Sequence, residues 1–205
     1  MCRRHWPILL AFLVLPVLIE LVLTAADFGL IATPRLRLTA YQNGAFWAGL
    51  LDNWRPNYRG QPATMFVTYS FLHAGLWHLG GNILALVLLI RLTEDALHGW
   101  RFLAVYVFSA IGGALGFALL GTALNPMVGA SGALFGLTGA WRWLEWREIT
   151  DSGARARVVA RDLVLLVLLN ALMWVLQSGS LAWEAHLGGF AAGVIAMAAL
   201  PKPAQ

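Results

Sequence analysis

The sequence predicts an all-α membrane domain of six transmembrane helices, on three observations. Only 12% of its 205 residues are charged and 60% are hydrophobic, where a soluble domain carries about 25% charged residues. A mean hydropathy of +0.70 agrees that most of the surface faces lipid. Six apolar runs, at about 8–30, 78–92, 101–122, 130–147, 161–178 and 185–200, approach the length that crosses a hydrocarbon core of roughly 30 Å. Finally, basic residues crowd the ends of those runs on one side of the expected bundle.

The first run follows Arg3-Arg4 and ends in Leu23-Thr24-Ala25-Ala26, a pattern shared with cleavable signal peptides. It is long for such a segment and contains Glu20, so it is expected to remain as the first span. Glu20 and Asp27 raise the possibility of a proton path, but such residues more often face the bundle or an interface. The 31–77 connection is too polar to cross. The spacing of Phe46, Trp47, Leu50, Leu51 and Trp54 predicts a short helix in the membrane interface there. The second and sixth runs are short, 15 and 16 residues, with small or aromatic neighbours that extend them. Trp141, Trp143 and Trp146 with Arg142 and Arg147 anchor the end of the fourth run at the headgroups.

With six spans, Arg3, Arg4, Arg91, Arg101, Arg142, Arg147, Arg155, Arg157, Arg161 and Lys202 share one side, ten of the 14 Lys and Arg. Arg35, Arg37, Arg55 and Arg59 take the other. The positive-inside rule then puts both termini in the cytoplasm and the 31–77 connection outside. This accounts for the net charge of +4 and the pI near 9.8 without nucleic acid, since no basic stripe with interleaved aromatics is present. The single cysteine, Cys2, excludes an intrachain disulfide and a Cys-rich metal site. No internal repeat stands out, and one domain over 1–205 suffices.

Three stretches open even-numbered runs: His73 through His78-Leu79-Gly80-Gly81-Asn82, Gly129-Ala130-Ser131-Gly132, and His186-Leu187-Gly188-Gly189 through Gly193. In an up-and-down bundle, even-numbered helices enter from one face, so these residues share one outward layer. A serine hydroxyl becomes a nucleophile when a base takes its proton, and His186 is the only histidine after Ser131. His78 and Asn82, four apart, project from one helix face. With the Ser131 amide they are suited to stabilise an oxyanion, where each donor is worth roughly 3 kcal/mol or more. Gly129 and Gly132 let backbone approach the reacting carbonyl. No carboxylate takes a clear third position, since Glu184 lies two residues from His186 and points elsewhere on a helix, so a Ser-His dyad is the better reading. Gly112/Gly116, Gly132/Gly136 and Gly189/Gly193 are small-xxx-small pairs that let helices pack closely, bringing base to nucleophile.

Each signal has a plainer reading. Gly-x-Ser-Gly alone is common in transmembrane helices, where serine bonds its own backbone. His73, His78 and His186 could be metal ligands, but no His-Glu-x-x-His spacing occurs and asparagine is a poor zinc ligand. His5 and His98 are expected to be interfacial or cytoplasmic.

Taken together, the motifs over about 60–200 resemble the rhomboid family of intramembrane serine proteases: a histidine and His-x-x-x-Asn, then Gly-x-Ser-Gly, then Ala-His-x-x-Gly-x-x-x-Gly. The resemblance implies a rhomboid-like bundle in its minimal six-helix bacterial form, in the inner membrane. It implies Ser131 as nucleophile, His186 as base and His78 and Asn82 at the oxyanion, with no cofactor or metal. His73 falls where the family has a structural histidine bonded within the outer loop. Phe135 falls where an aromatic packs on the catalytic imidazole, and Glu94 where the family has a carboxylate. Gly189 belongs to the same motif as the base. The implied partners are a transmembrane protein substrate and membrane lipid; the oligomeric state is left open. One departure is that Thr64-Met65 stand where many bacterial members carry Trp-Arg, with Trp54-Arg55 further upstream. The rival readings are a non-proteolytic rhomboid-like protein that binds transmembrane clients, and a small transporter.

Overall fold

A computed structural model of the chain describes residues 6–31, 33, 35–93, 96–121 and 125–201. Cys2, Arg3, Arg4, His5, Glu94 and Lys202 lie outside the described residues. Eight α-helices lie among the described residues: α1 (Trp6–Asp27), α2 (Leu36–Gly44), α3 (Gln61–Thr68), α4 (Leu76–Thr93), α5 (Trp100–Leu120), α6 (Ser131–Glu148), α7 (Ser152–Leu176) and α8 (Trp183–Ala199). Six of these coincide with the apolar runs; α2 and α3 belong to the long connection.

Four helices, α1, α4, α5 and α7, are long and apolar enough to cross a membrane. The other two differ for physical reasons. α6 ends in Trp141-Arg142-Trp143-Leu144-Glu145-Trp146-Arg147-Glu148, and α8 has only 17 residues. Both are deeply enclosed by neighbours: Gly132 through Leu137 are buried on α6, as are Ala185, His186, Gly189 and Phe190 on α8. A helix that faces protein rather than lipid needs less apolar surface. α7 begins at Ser152 rather than near 161, because the Asp151 carboxylate accepts a hydrogen bond from the Ala154 amide (2.6 Å) and caps it there.

α5, α6 and α8 form the tight centre of the bundle. Their backbones nearly touch at glycines. A Cβ on Gly189 would collide with the Gly132 carbonyl oxygen, and one on Gly193 with that of Gly136. A Cβ on Gly188 would likewise strike the Gly112 carbonyl. This is the close approach that small residues permit between membrane helices. α1 docks through Phe12, whose ring lies 4.4 Å from Tyr106, 5.5 Å from Phe71 and 5.8 Å from Phe102. α7 stands apart, with Asp162 its one buried residue and its leucines and valines largely exposed.

The connection differs from expectation. Instead of an interfacial helix over Phe46–Trp54 there is one 3₁₀ turn at Ala48–Leu51, between α2 and α3. Phe46 is fully buried against Phe66 and Phe117, and its backbone exchanges both hydrogen bonds with Met127. Its apolar character serves the core, not the lipid. Trp54 packs on Trp47 and against Gly49. Glu20 and Asp27 also find an ordinary role: both bind Arg37, at 2.8 and 2.6 Å, and Arg37 Nη1 donates to the His73 carbonyl at 3.0 Å. The carboxylate of Glu20 is the main reason the guanidinium pKa is raised. An acidic pair on α1 thus anchors the connection just before α4.

Candidate active site

The three motif-bearing helices α4, α6 and α8 begin in one layer. Ser131 is the first residue of α6, where backbone N–H groups lack intrahelical partners and the helix dipole is positive. The preceding segment is held twice: Met127 by Phe46, and the Gly129 amide by the Tyr69 carbonyl (3.0 Å). Tyr69, fully buried, donates its hydroxyl to the Ala110 carbonyl (2.9 Å) and so ties this segment to α5. Gly129 has φ +119°, open to glycine at no steric cost, and a Cβ there would sit 2.6 Å from His78 Cε1. Both facts require glycine.

His186, in the first turn of α8, is 1% exposed. Its Nε2 lies 2.8 Å from Ser131 Oγ. Phe135, one turn along α6 from Ser131, stacks on the ring with centroids 4.1 Å apart and planes 8° from parallel. The glycine contact between Gly132 and Gly189 sets this distance, because any side chain there would separate α6 from α8. The arrangement provides a hydroxyl in hydrogen-bond contact with a base whose ring plane is fixed.

His78 and Asn82 lie on the opposite wall. The Ala74 amide donates to His78 Nδ1 (3.3 Å), so a neutral ring carries its proton on Nε2, on the side of Gly129. Asn82 Nδ2 donates to the His78 carbonyl (2.8 Å) and keeps a second hydrogen, while its buried Oδ1 has no protein partner. His78, Asn82, Trp77, Ser131 and Phe135 line one cavity of about 1100 Å³ between α4, α6 and α7. Two donors and a helix N-terminus thus border a space beside the hydroxyl, where negative charge can be stabilised.

His73 differs in detail from its expected loop bonding. Its buried ring lies edge-on to His78 with centroids 5.2 Å apart, and its nitrogens pass near the Phe71 backbone without hydrogen-bond geometry. The loop is fastened through the His73 carbonyl instead, which accepts from Arg37 and from Tyr41 Oη (2.7 Å). Burial, with His78 adding in the same direction, pushes the His73 pKa down to about 3. Thr64 and Met65, at the expected Trp-Arg place, take other roles: Met65 is core, and Thr64 shares a hydrogen bond with Tyr58 Oη (2.7 Å).

Asn170 escaped sequence reasoning. Its Oδ1 lies 2.7 Å from His186 Nδ1. The available signal was an asparagine in the middle of the fifth apolar run, since polar groups at that depth are costly without a partner.

Comparison with known proteins places the chain among relatives of one family. Residues 59–203 match the family model described as Rhomboid domain. The chain is 30% identical over 137 residues to Rhomboid protease GluP of Bacillus subtilis, covering 67% of this chain and 26% of that protein. It is 35% identical over 139 residues to Rhomboid protein 1, mitochondrial, of Saccharomyces cerevisiae, covering 62% and 38%. To Rhomboid-related protein 3 of Mus musculus it is 29% identical over 152 residues, covering 69% and 37%. The chain therefore spans between about a quarter and two fifths of the length of these relatives.

Proposed function

The chain belongs to the rhomboid family, and from that premise we propose that it is an intramembrane serine endopeptidase that cleaves transmembrane segments of other membrane proteins. The observation that carries the reading is the 2.8 Å contact between Ser131 Oγ and His186 Nε2, beneath a stacked Phe135 and beside the cavity bordered by His78 and Asn82.

In this mechanism His186 takes the Ser131 proton as Oγ attacks the scissile carbonyl. The oxyanion is met by the Ser131 amide, His78 Nε2–H and Asn82 Nδ2–H. His186 returns the proton to the leaving amine, and water then hydrolyses the acyl-enzyme with His186 again as base. The substrate helix must unwind locally, because helical carbonyls are already hydrogen-bonded. Cleavage takes place near the outer leaflet, at the depth of the three helix starts. No step requires a metal or cofactor.

The same reading has α1, α4, α5, α6, α7 and α8 crossing a bacterial inner membrane, with both termini cytoplasmic. The ten-to-four division of basic residues supports that orientation. A client-binding role without proteolysis leaves the serine–histidine contact and its stacked aromatic without a purpose.

The test is labelling of detergent-purified protein with a fluorophosphonate. Labelling should vanish in Ser131→Ala and weaken by orders of magnitude in His186→Ala. Unchanged labelling of Ser131→Ala would reject the assignment.

A further inference from the structure

We propose that Asn170, on α7, is a positioning residue that fixes the orientation and tautomer of His186, so that the site is a Ser-His-Asn arrangement rather than a dyad. The proposal rests on the hydrolase reading above and deepens it.

The tautomer follows from a chain of three hydrogen bonds. Asn170 Nδ2 donates to the Leu166 carbonyl, one turn back on α7, at 2.9 Å. A carbonyl only accepts, so the NH2 end of the amide must face Leu166 and the oxygen end must face His186. Oδ1 in turn only accepts, so His186 Nδ1, 2.7 Å away, carries the ring proton. In a neutral imidazole this leaves a lone pair on Nε2, the atom 2.8 Å from Ser131 Oγ. That is the tautomer a base needs. With the proton on Nε2 instead, the ring would present a hydrogen to the serine and could not accept one.

Phe135 cannot do this alone. Stacking at 4.1 Å fixes the plane of the ring but leaves it free to turn within that plane. Hydrogen bonds at both nitrogens remove that freedom. When Nε2 takes the serine proton, the imidazolium carries two N–H groups, and Asn170 Oδ1 is already placed to accept one of them.

The helix that supplies Asn170 gives the contact a further consequence. α7 has a single buried residue, Asp162, which binds Arg142 and Trp146 toward the end of the helix away from the site. Cavities of about 1100 and 450 Å³ flank α7, and the smaller is lined by Asn170, His186 and Phe190. The base is therefore oriented from a loosely seated helix. A shift of α7 of an ångström or two releases Nδ1 and lets the ring turn, so the seating of α7 and the readiness of the base are one variable.

Two readouts test this on the full-length protein in detergent. The first is cleavage of a model transmembrane substrate by wild type, Asn170→Leu and Asn170→Asp. Leucine keeps the branched shape and removes the acceptor, and should lower kcat roughly ten- to a thousandfold with KM within about twofold. Aspartate keeps an acceptor at the same place and should recover activity to within about tenfold of wild type. The second readout is independent of activity: the ring 15N shifts of His186, assigned with His186→Gln. These should report Nδ1–H in wild type and in Ser131→Ala, and a mixed or inverted tautomer in Asn170→Leu. Unchanged kcat in Asn170→Leu, or the same tautomer with and without Asn170, overturns the proposal. If wild type fails to react while the tautomer still depends on Asn170, the hydrolase reading fails and the positioning role stands.

Discussion

At the scale of single residues, the site depends on which groups remain neutral or donate in a water-poor layer. His73 shows this outside the spanning helices. With its ring buried against His78, its pKa falls from the usual 6.5 to about 3. Between those values the unfolded chain binds a proton that the folded chain does not, so the contribution of His73 to stability is fully present above pH 6.5 and lost as pH falls toward 3. The melting temperature in detergent should therefore drop more steeply with acidification in wild type than in His73→Phe, which keeps a buried ring without the titration. Parallel curves would contradict this. Ser131, His186, His78 and Asn82 were legible in the sequence as candidates because each is a polar group at the start of an apolar run. Asn170 was not, because its partner is 16 positions away on another helix, and no spacing rule connects them.

At the scale of elements, two kinds of helix share the bundle. α5, α6 and α8 meet through backbone, and their seating leaves no space for a methyl group at Gly189 or Gly193. Gly193→Ala is the cleaner probe, lying one turn further from the base than Gly189. It should cost about 1–3 kcal/mol, the range for overpacking, visible as a lower melting temperature and slower fluorophosphonate labelling together. Loss of labelling with an unchanged melting temperature would mean that the contact acts on the site and not on packing. The GxxxG pairs pointed to close packing of the Gly132/Gly136 face on the Gly189/Gly193 face, which is what the bundle has, but could not say that Gly188 meets Gly112. α2 and α3 were less legible still. Phe46 and its neighbours have the apolar spacing of an interfacial helix, yet the backbone exchange with Met127 and burial among Phe66 and Phe117 draw the segment into the core. Local pattern reports that a side chain avoids water, not whether lipid or protein covers it.

At the scale of the whole molecule, the asymmetry of charge predicts the orientation in the membrane. In the proposed six-span topology Asp52, exposed in the connection, and Ser152, at the start of α7, fall on opposite sides of the membrane. In a background without Cys2, a membrane-impermeant maleimide added to intact cells should label Asp52→Cys and not Ser152→Cys; the reverse would invert the topology. By itself the sequence determined the class of the protein: composition requires a membrane, run lengths set the helices, and three motifs at helix starts mark one chemical layer. These properties depend on neighbours within a few turns or on composition, so a linear reading captures them. Only the tertiary structure decided that Gly188 meets Gly112, that Glu20 and Asp27 fasten Arg37 to the loop before α4, and that α7 brings an amide to His186. Each is a contact between segments far apart in the chain, set by which helix faces pack together. A serine beside a histidine was readable in the sequence; what holds the histidine in place was not.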